Sequence, residues 1–220
     1  MKIVHIISSF TPGGAEVFVK NLSLYQSLSA EVEVWALFGV ENEQFTKKMR
    51  RELQKEGVKS IVLDKRPHKD RLKVLAKLRK NISKSSPDII NSHLENVTFF
   101  STLSNLGSGI PIVQTIHSTR VSRPKLQKIF INTFIDKFVA VSEKTKSVLT
   151  KSVGIPERKA EVIYNGIKCK NFSARDRTFT DTVTKLLAIG RLEREKNFSG
   201  LLKSFRSVID TLKEEGYITP

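Results

Sequence analysis

Cysteine is almost missing from this 220-residue sequence: a single residue, Cys169, has no partner for an internal disulfide. No secretory leader is evident either, because Met1–Ile7 is too short an apolar stretch and carries no cleavage site. Together these absences predict a reducing cytoplasm. Long hydrophobic runs are also lacking. None approaches the roughly 18 apolar residues of a spanning helix, which argues against an integral membrane protein. Acidic residues are outnumbered, 22 against 38 basic ones, for a net charge of +16. A surplus of that size attracts polyanions such as nucleic acid, anionic lipid headgroups or phosphorylated small molecules, without choosing among them. Hydrophobic residues make up 39%, enough for a core. At roughly 150 residues per domain the length corresponds to about one and a half domains.

Short β-like runs alternate with helix-length amphipathic stretches. Strands are expected at Lys2–Ile7, Val32–Phe38, Val58–Leu63, Asp88–Ser92, Ile112–Ile116, Phe138–Val141, Glu161–Tyr164 and Leu186–Ile189. Helical spacing links Phe18, Leu22 and Tyr25, and again Leu72, Leu75, Leu78 and Ile82; Ile129, Thr133 and Asp136 mark the edge of a third stretch. This alternation predicts an α/β fold, a Rossmann-like parallel sheet with helices on both faces. Several strands are apolar almost throughout, as strands buried on both faces are. The polar stretch after Ile167, with Arg175, Asp176 and Arg177, reads as a linker. Beyond it lie one expected strand and one helix, about Asn197–Glu215, too little to bury its own sheet. The expected organisation is a domain over 1–167, a linker over 168–183 and the beginning of a second domain over 184–220.

Four strings can carry chemistry. Thr11-Pro12-Gly13-Gly14-Ala15-Glu16 follows the first strand and opens a helix. Its glycines allow a sharp turn and close ligand approach, and the helix start offers free N–H groups to a phosphate or sugar hydroxyl. A plain βα turn, with Glu16 favoured by the helix dipole, is the other reading. The third glycine of a dinucleotide fingerprint is lacking. His93 and His117 end two strands, where open parallel sheets bind ligands. His93 reads as a loop-shaping histidine. His117 reads as functional, because Ser118-Thr119-Arg120 after it suggests an open loop. No third His or Cys has zinc-ligand spacing. In Gly190-Arg191-Leu192-Glu193-Arg194-Glu195-Lys196, a diphosphate fits between the Arg191 fork and the Lys196 charge; a solvated loop neutralised by its glutamates fits equally. Lys69, Lys73, Lys77, Lys80 and Lys84 share one helical face opposite the leucines, either a surface for anionic lipid or a solvated face.

Taken together, these strings resemble the GT-B glycosyltransferases of family 4, over essentially the whole chain. The resemblance is carried by Pro12-Gly13-Gly14-Ala15-Glu16, Pro87-Asp88-Ile89-Ile90-Asn91-Ser92-His93 and Thr115-Ile116-His117. Val139-Ala140-Val141-Ser142 with Gly154-Ile155-Pro156, Val162-Ile163-Tyr164-Asn165-Gly166-Ile167, and Ile189-Gly190-Arg191-Leu192 with Lys196 complete it. It implies two Rossmann-like domains across a cleft, an acceptor-binding first half and a nucleotide-sugar-binding second half. It further implies retention of anomeric configuration and no cofactor or metal. Gly13 and Gly14 would lie at the donor phosphates, with Arg191 and Lys196 holding the diphosphate and His117 contacting the donor sugar as the catalytic residue. Glu16, His93 and Asn165 would line the acceptor side or cleft. The family's acidic E-x7-E element would fall beyond Pro220, so the chain is expected to be a truncation with little activity alone. The implied setting is cell-envelope polysaccharide or lipopolysaccharide synthesis. The acceptor would be a glycan or lipid-linked glycan, and the basic face would rest on the inner leaflet of the plasma membrane. A non-catalytic polyanion- or membrane-binding remnant is the alternative. A nucleic-acid partner is not expected, since no aromatic-plus-basic RNA signature or zinc-finger spacing occurs.

Overall fold

A computed structural model describes residues 1–39, 42–119, 132–167, 186–190 and 192–217. The chain forms two compact units, Met1–Cys169 and Lys170–Pro220. The first unit is built on β1 (Lys2–Ile7), α1 (Gly14–Gln26), β2 (Glu31–Phe38), α2 (Glu43–Lys55), β3 (Lys59–Lys65), α3 (Arg71–Ser85), β4 (Ile89–His93) and α4 (Glu95–Asn105). These are followed by β5 (Ile112–Ile116), β6 (Lys137–Ala140), α5 (Glu143–Ser147) with a π-helical continuation Val148–Val153, and β7 (Ala160–Val162). All seven strands are parallel, in the order β3-β2-β1-β4-β5-β6-β7. Chain order reverses between β1 and β4, and the loops leaving these two strands diverge there. That divergence is where open α/β sheets form their ligand crevice.

Strand alternation feeds two cores. In β2, Trp35 and Leu37 face α3 and α4, while Val34 and Ala36 face α1 and α2. Val74, Leu78 and Ile82 of α3 and Val97 and Phe100 of α4 close the first core; Val19 of α1 and Met49 and Leu53 of α2 close the second. The amino ends of the strands are tied by charge. The Lys2 backbone N–H donates to Asp88 at 2.6 Å. Buried Glu33 accepts from the Trp35 indole, Lys2, Lys59 and the Ser85 hydroxyl. Burial by itself would raise the Glu33 pKa, but these four donors outweigh it and hold the carboxylate below its ordinary value.

Three expectations are corrected. Leu186–Ile189 is not a strand; its residues are exposed and irregular. Strand propensity needs a neighbour to take up the backbone hydrogen bonds, and no described residue supplies one. On α3 the buried face is Val74, Leu78 and Ile82, not Leu72, which is 82% exposed. Lys69 precedes that helix, while Lys73, Lys77, Lys80 and Lys84 lie exposed along it. On α1 the buried positions are Glu16, Val19 and Ser23, and Tyr25 points to solvent. Ile129 lies outside the described residues. In the second unit the helix Phe198–Glu214 is capped by Asn197, whose side chain accepts from the Gly200 N–H at 3.3 Å.

Candidate functional site

The polar heart of the first unit is a line of three imidazoles crossing the switch point. His5 sits in the middle of β1, on the α1 face, where its neighbours Val4 and Ile6 face the other core. His93 ends β4 on the same face, and His117 follows β5. Gln26, the last residue of α1, accepts from His5 Nε2 at 2.7 Å. His5 Nδ1 and His93 Nε2 are 3.2 Å apart, and His93 Nδ1 and His117 Nε2 are 3.0 Å apart. The last two rings stack with centroids 5.2 Å apart. Thr115 on β5 donates to Asn91 on β4 at 3.0 Å, joining the two strands beside the line.

Such a line requires neutral rings at His5 and His93, since each of these must accept one hydrogen bond and donate another, while His117 only donates into it. The surroundings supply that condition. Burial pushes His5 down to about 4, against an upward pull from Gln26. Burial likewise pushes His117 down to about 4. His93 is held well below its ordinary value by burial, and then by repulsion from its two neighbours. His93 therefore reads differently from the sequence: it is 1% exposed and bridges two imidazoles instead of shaping a loop. Because the ring nitrogens face one another, they do not converge on a common point. Among the described residues no group of three His, Cys, Asp or Glu is arranged to hold a metal ion.

Helix α1, which opens after the loop that follows β1, meets this line. Phe18, just over one turn into α1 from Gly14, packs edge-on against the His117 ring at 5.3 Å. The two glycines have different reasons to be there. Gly13 has φ −94°, open to any residue, but a Cβ on it would collide with the carboxylate of buried Glu16 folded back across the loop. Nothing lies within 4 Å of a Cβ on Gly14, so the space over the helix start is open. The sharp-turn role expected of both glycines is thus replaced by close approach at one and clearance at the other. Leu94, directly after His93, has φ 75° and ψ 146°, a region that essentially only glycine adopts freely. That backbone costs on the order of 1–3 kcal/mol and turns the chain from His93 straight into α4.

Of the expected site residues, the fold brings Gly13, Gly14, Glu16, His93 and His117 to the carboxyl edge of the sheet, at the switch point. Asn165 is exposed, three residues past β7 on the outermost strand. Lys196 is exposed and belongs to the second unit, and Arg191 lies outside the described residues. The α3 lysines are on the opposite face of the sheet from the imidazole line. Sequence reading did not single out His5 or Gln26. One available signal is a histidine set inside the otherwise apolar run Ile3-Val4-His5-Ile6-Ile7. Other parts of the recurring strings prove structural. Ser142 caps α5 by accepting from the Thr145 N–H, and Gly154 ends the π-helical turn at φ 79°.

A doubly wound parallel sheet with polar groups gathered at its switch point defines a Rossmann-like α/β protein. The chain belongs to Glycosyltransferase Family 4, whose family profile matches residues 12–171. No curated protein matches it significantly. Among solved structures it is similar to HepE of Anabaena in complex with UDP and glucose, at a TM-score of 0.64 and 18% identity, covering 80% of this chain and 47% of HepE. A glycosyltransferase from Rickettsia africae ESF-5 gives 0.62 and 20% identity, covering 77% of this chain and 44% of its own. The apo form of the lipopolysaccharide outer core galactosyltransferase WaaB gives 0.57 and 19% identity, covering 80% and 50%. At these identities the likeness is one of fold, the Rossmann-like fold of GT-B glycosyltransferases. The chain spans about half the length of these structures.

Proposed function

We propose that the first unit is the acceptor-side half of a sugar transferase that uses a nucleotide-sugar donor. The observation that carries this reading is the neutral imidazole line ending at His117, which packs on Phe18 of the same helix whose open start is Gly14. In the proposed reaction the bond from the anomeric carbon to the diphosphate breaks and a bond to an acceptor hydroxyl forms. The hydroxyl proton is released, and the nucleoside diphosphate departs with the bonding pair. Backbone N–H groups at Gly14 meet growing negative charge on the diphosphate, where a fixed dipole is worth most. A neutral His117 hydrogen-bonds the donor sugar without adding a charge that would oppose the developing positive anomeric centre. Lys196 and Arg191 are assigned to the leaving diphosphate, and Glu16, His93 and Asn165 to the acceptor side. The transfer is proposed as retaining, metal-free and directed at a glycan or lipid-linked glycan of the cell envelope.

The test is nucleoside-diphosphate release and glycan extension over a panel of nucleotide sugars. It uses the chain alone and the chain joined to a donor-binding half. His117→Ala is expected to lower kcat at least about 100-fold while costing only about 1–3 kcal/mol of stability, the cost of leaving buried His93 Nδ1 without its donor, so that the protein stays folded. Equal losses of activity and folding, or a joined protein that binds no nucleotide sugar, refute the reading.

A membrane role rests on a separate observation. Lys69, Lys73, Lys77, Lys80 and Lys84 are exposed, and no ion pair to a described carboxylate is formed by any of them. No described helix is long and apolar enough to cross a membrane. We therefore propose peripheral attachment to the anionic inner leaflet, at about 1 kcal/mol per lysine near the surface. Sedimentation with phosphatidylglycerol vesicles should fall several-fold in Lys73→Glu/Lys77→Glu/Lys80→Glu. Unchanged binding refutes the attachment.

A further inference from the structure

We infer that Gln26, His5 and His93 are positioning residues whose hydrogen-bond line fixes His117 as the Nε2–H tautomer, making its other ring nitrogen, Nδ1, an acceptor for a hydroxyl of the donor sugar. The choice of ligand rests on the sugar-transfer reading above; the line itself does not.

The direction follows from its first member. The Gln26 Oε1 can only accept, so His5 Nε2 carries a proton and His5 Nδ1 carries a lone pair. His93 Nε2 must then donate to that lone pair, leaving His93 Nδ1 to accept. His117 Nε2 must in turn donate to His93 Nδ1. A proton missing anywhere along the line would leave two lone pairs facing each other, and an extra one would leave two N–H groups in collision. Each tautomer is therefore dictated by the one before it. Among the described residues the remaining nitrogen of His117, Nδ1, has no hydrogen-bond partner. It presents a lone pair, which suits a hydroxyl and repels a phosphate oxygen. That division matches the two ends of a nucleotide sugar: the diphosphate lies toward helix N–H groups, and the hydroxyls lie toward the imidazole.

The chemistry exposed at the site is thus decided two imidazoles away, by an amide on α1. Reversing that amide would reverse every proton in the line and make His117 an outward donor. The functional residue belongs to the loop after β5, while the group that sets its hydrogen-bonding sense belongs to the end of α1. β1 and β4 supply the two rings between them.

The test reads tautomers directly, by long-range proton–nitrogen correlation on the 15N-labelled 220-residue chain at pH 7.5. The three histidines of the line, His5, His93 and His117, are expected to show a protonated Nε2 and an unprotonated Nδ1. For His117 the preferred tautomer should exceed the other about tenfold, the ratio one net hydrogen bond supports. Gln26→Leu removes the terminal acceptor without touching His117, and should bring the His117 ratio to near unity. Gln26→Glu, which keeps an accepting oxygen, should restore it. A protonated Nδ1 on His117 in the wild type overturns the inference, as does a ratio unmoved by Gln26→Leu. Because this measurement needs no substrate, it separates failure of the line from failure of the transferase reading. Absence of transfer with intact tautomers refutes only the latter.

Discussion

Acid should unfold the first unit earlier than its carboxylates alone require. An unfolded histidine has a pKa of about 6.5, whereas burial holds His5 and His117 at about 4. As pH falls, the unfolded chain takes up these protons first. The stability held in the neutral line is therefore complete above about pH 6.5 and lost progressively toward pH 4. Between pH 7.5 and 5.0, linkage for a single imidazole with this shift costs about 2 kcal/mol. His5, fully buried, contributes about that amount, and His117, less buried, contributes less. Glu33 does not confuse the comparison. Its pKa is lowered, so its contribution persists above its ordinary carboxylate range and is lost only at lower pH. Trp35, the only tryptophan and fully buried, reports unfolding by fluorescence. With a urea slope of about 2 kcal/mol/M, the midpoint should drop by at least about 1 M between pH 7.5 and 5.0. His5→Gln should shrink that drop by about 1 M, the share His5 itself contributes, whatever it does to the midpoint at pH 7.5. An equal midpoint at both pH values, or undiminished acid sensitivity in His5→Gln, would refute the reasoning.

Gly13→Ala should displace the Glu16 carboxylate at a cost of no more than about 1 kcal/mol, since only the end of that side chain must move, and the cost should vanish in a Glu16→Ala background, as read by a double-mutant cycle of urea midpoints. Gly14→Ala, placed in open space, should stay within about 0.5 kcal/mol of wild type while weakening nucleotide-sugar binding measured by calorimetry. Glu33→Gln should cost about 2–3 kcal/mol by leaving Lys2 and Lys59 without their buried counter-charge, and raising salt should narrow the difference from wild type. Gly154→Ala should cost about 1–2 kcal/mol in thermal or urea denaturation because its backbone is left-handed.

Much of the architecture is written locally. Seven of the eight expected strands form, with ends displaced by a residue or two, because apolar runs of four to eight residues between helix-period segments leave few alternatives. The failure at Leu186–Ile189 is of the opposite kind: its residues favour a strand, but a strand exists only in the company of another. Periodicity also overestimates on helices. It counted Leu72 as inward on α3, yet that position lies beyond the arc the sheet covers, and the buried stripe runs through Val74 instead.

What the sequence by itself determined was the type of sheet, its helices and the glycine and histidine strings at strand ends, since each depends on residues within one turn or one strand. The strand order, and with it the meeting of His5, His93 and His117, was decided only in the tertiary structure. Those histidines lie 88 and 24 residues apart in sequence, and no local pattern records that β1 and β4 become neighbours. The neutral state of the rings belongs there too, because a histidine's charge is set by the burial and partners that the assembled fold imposes.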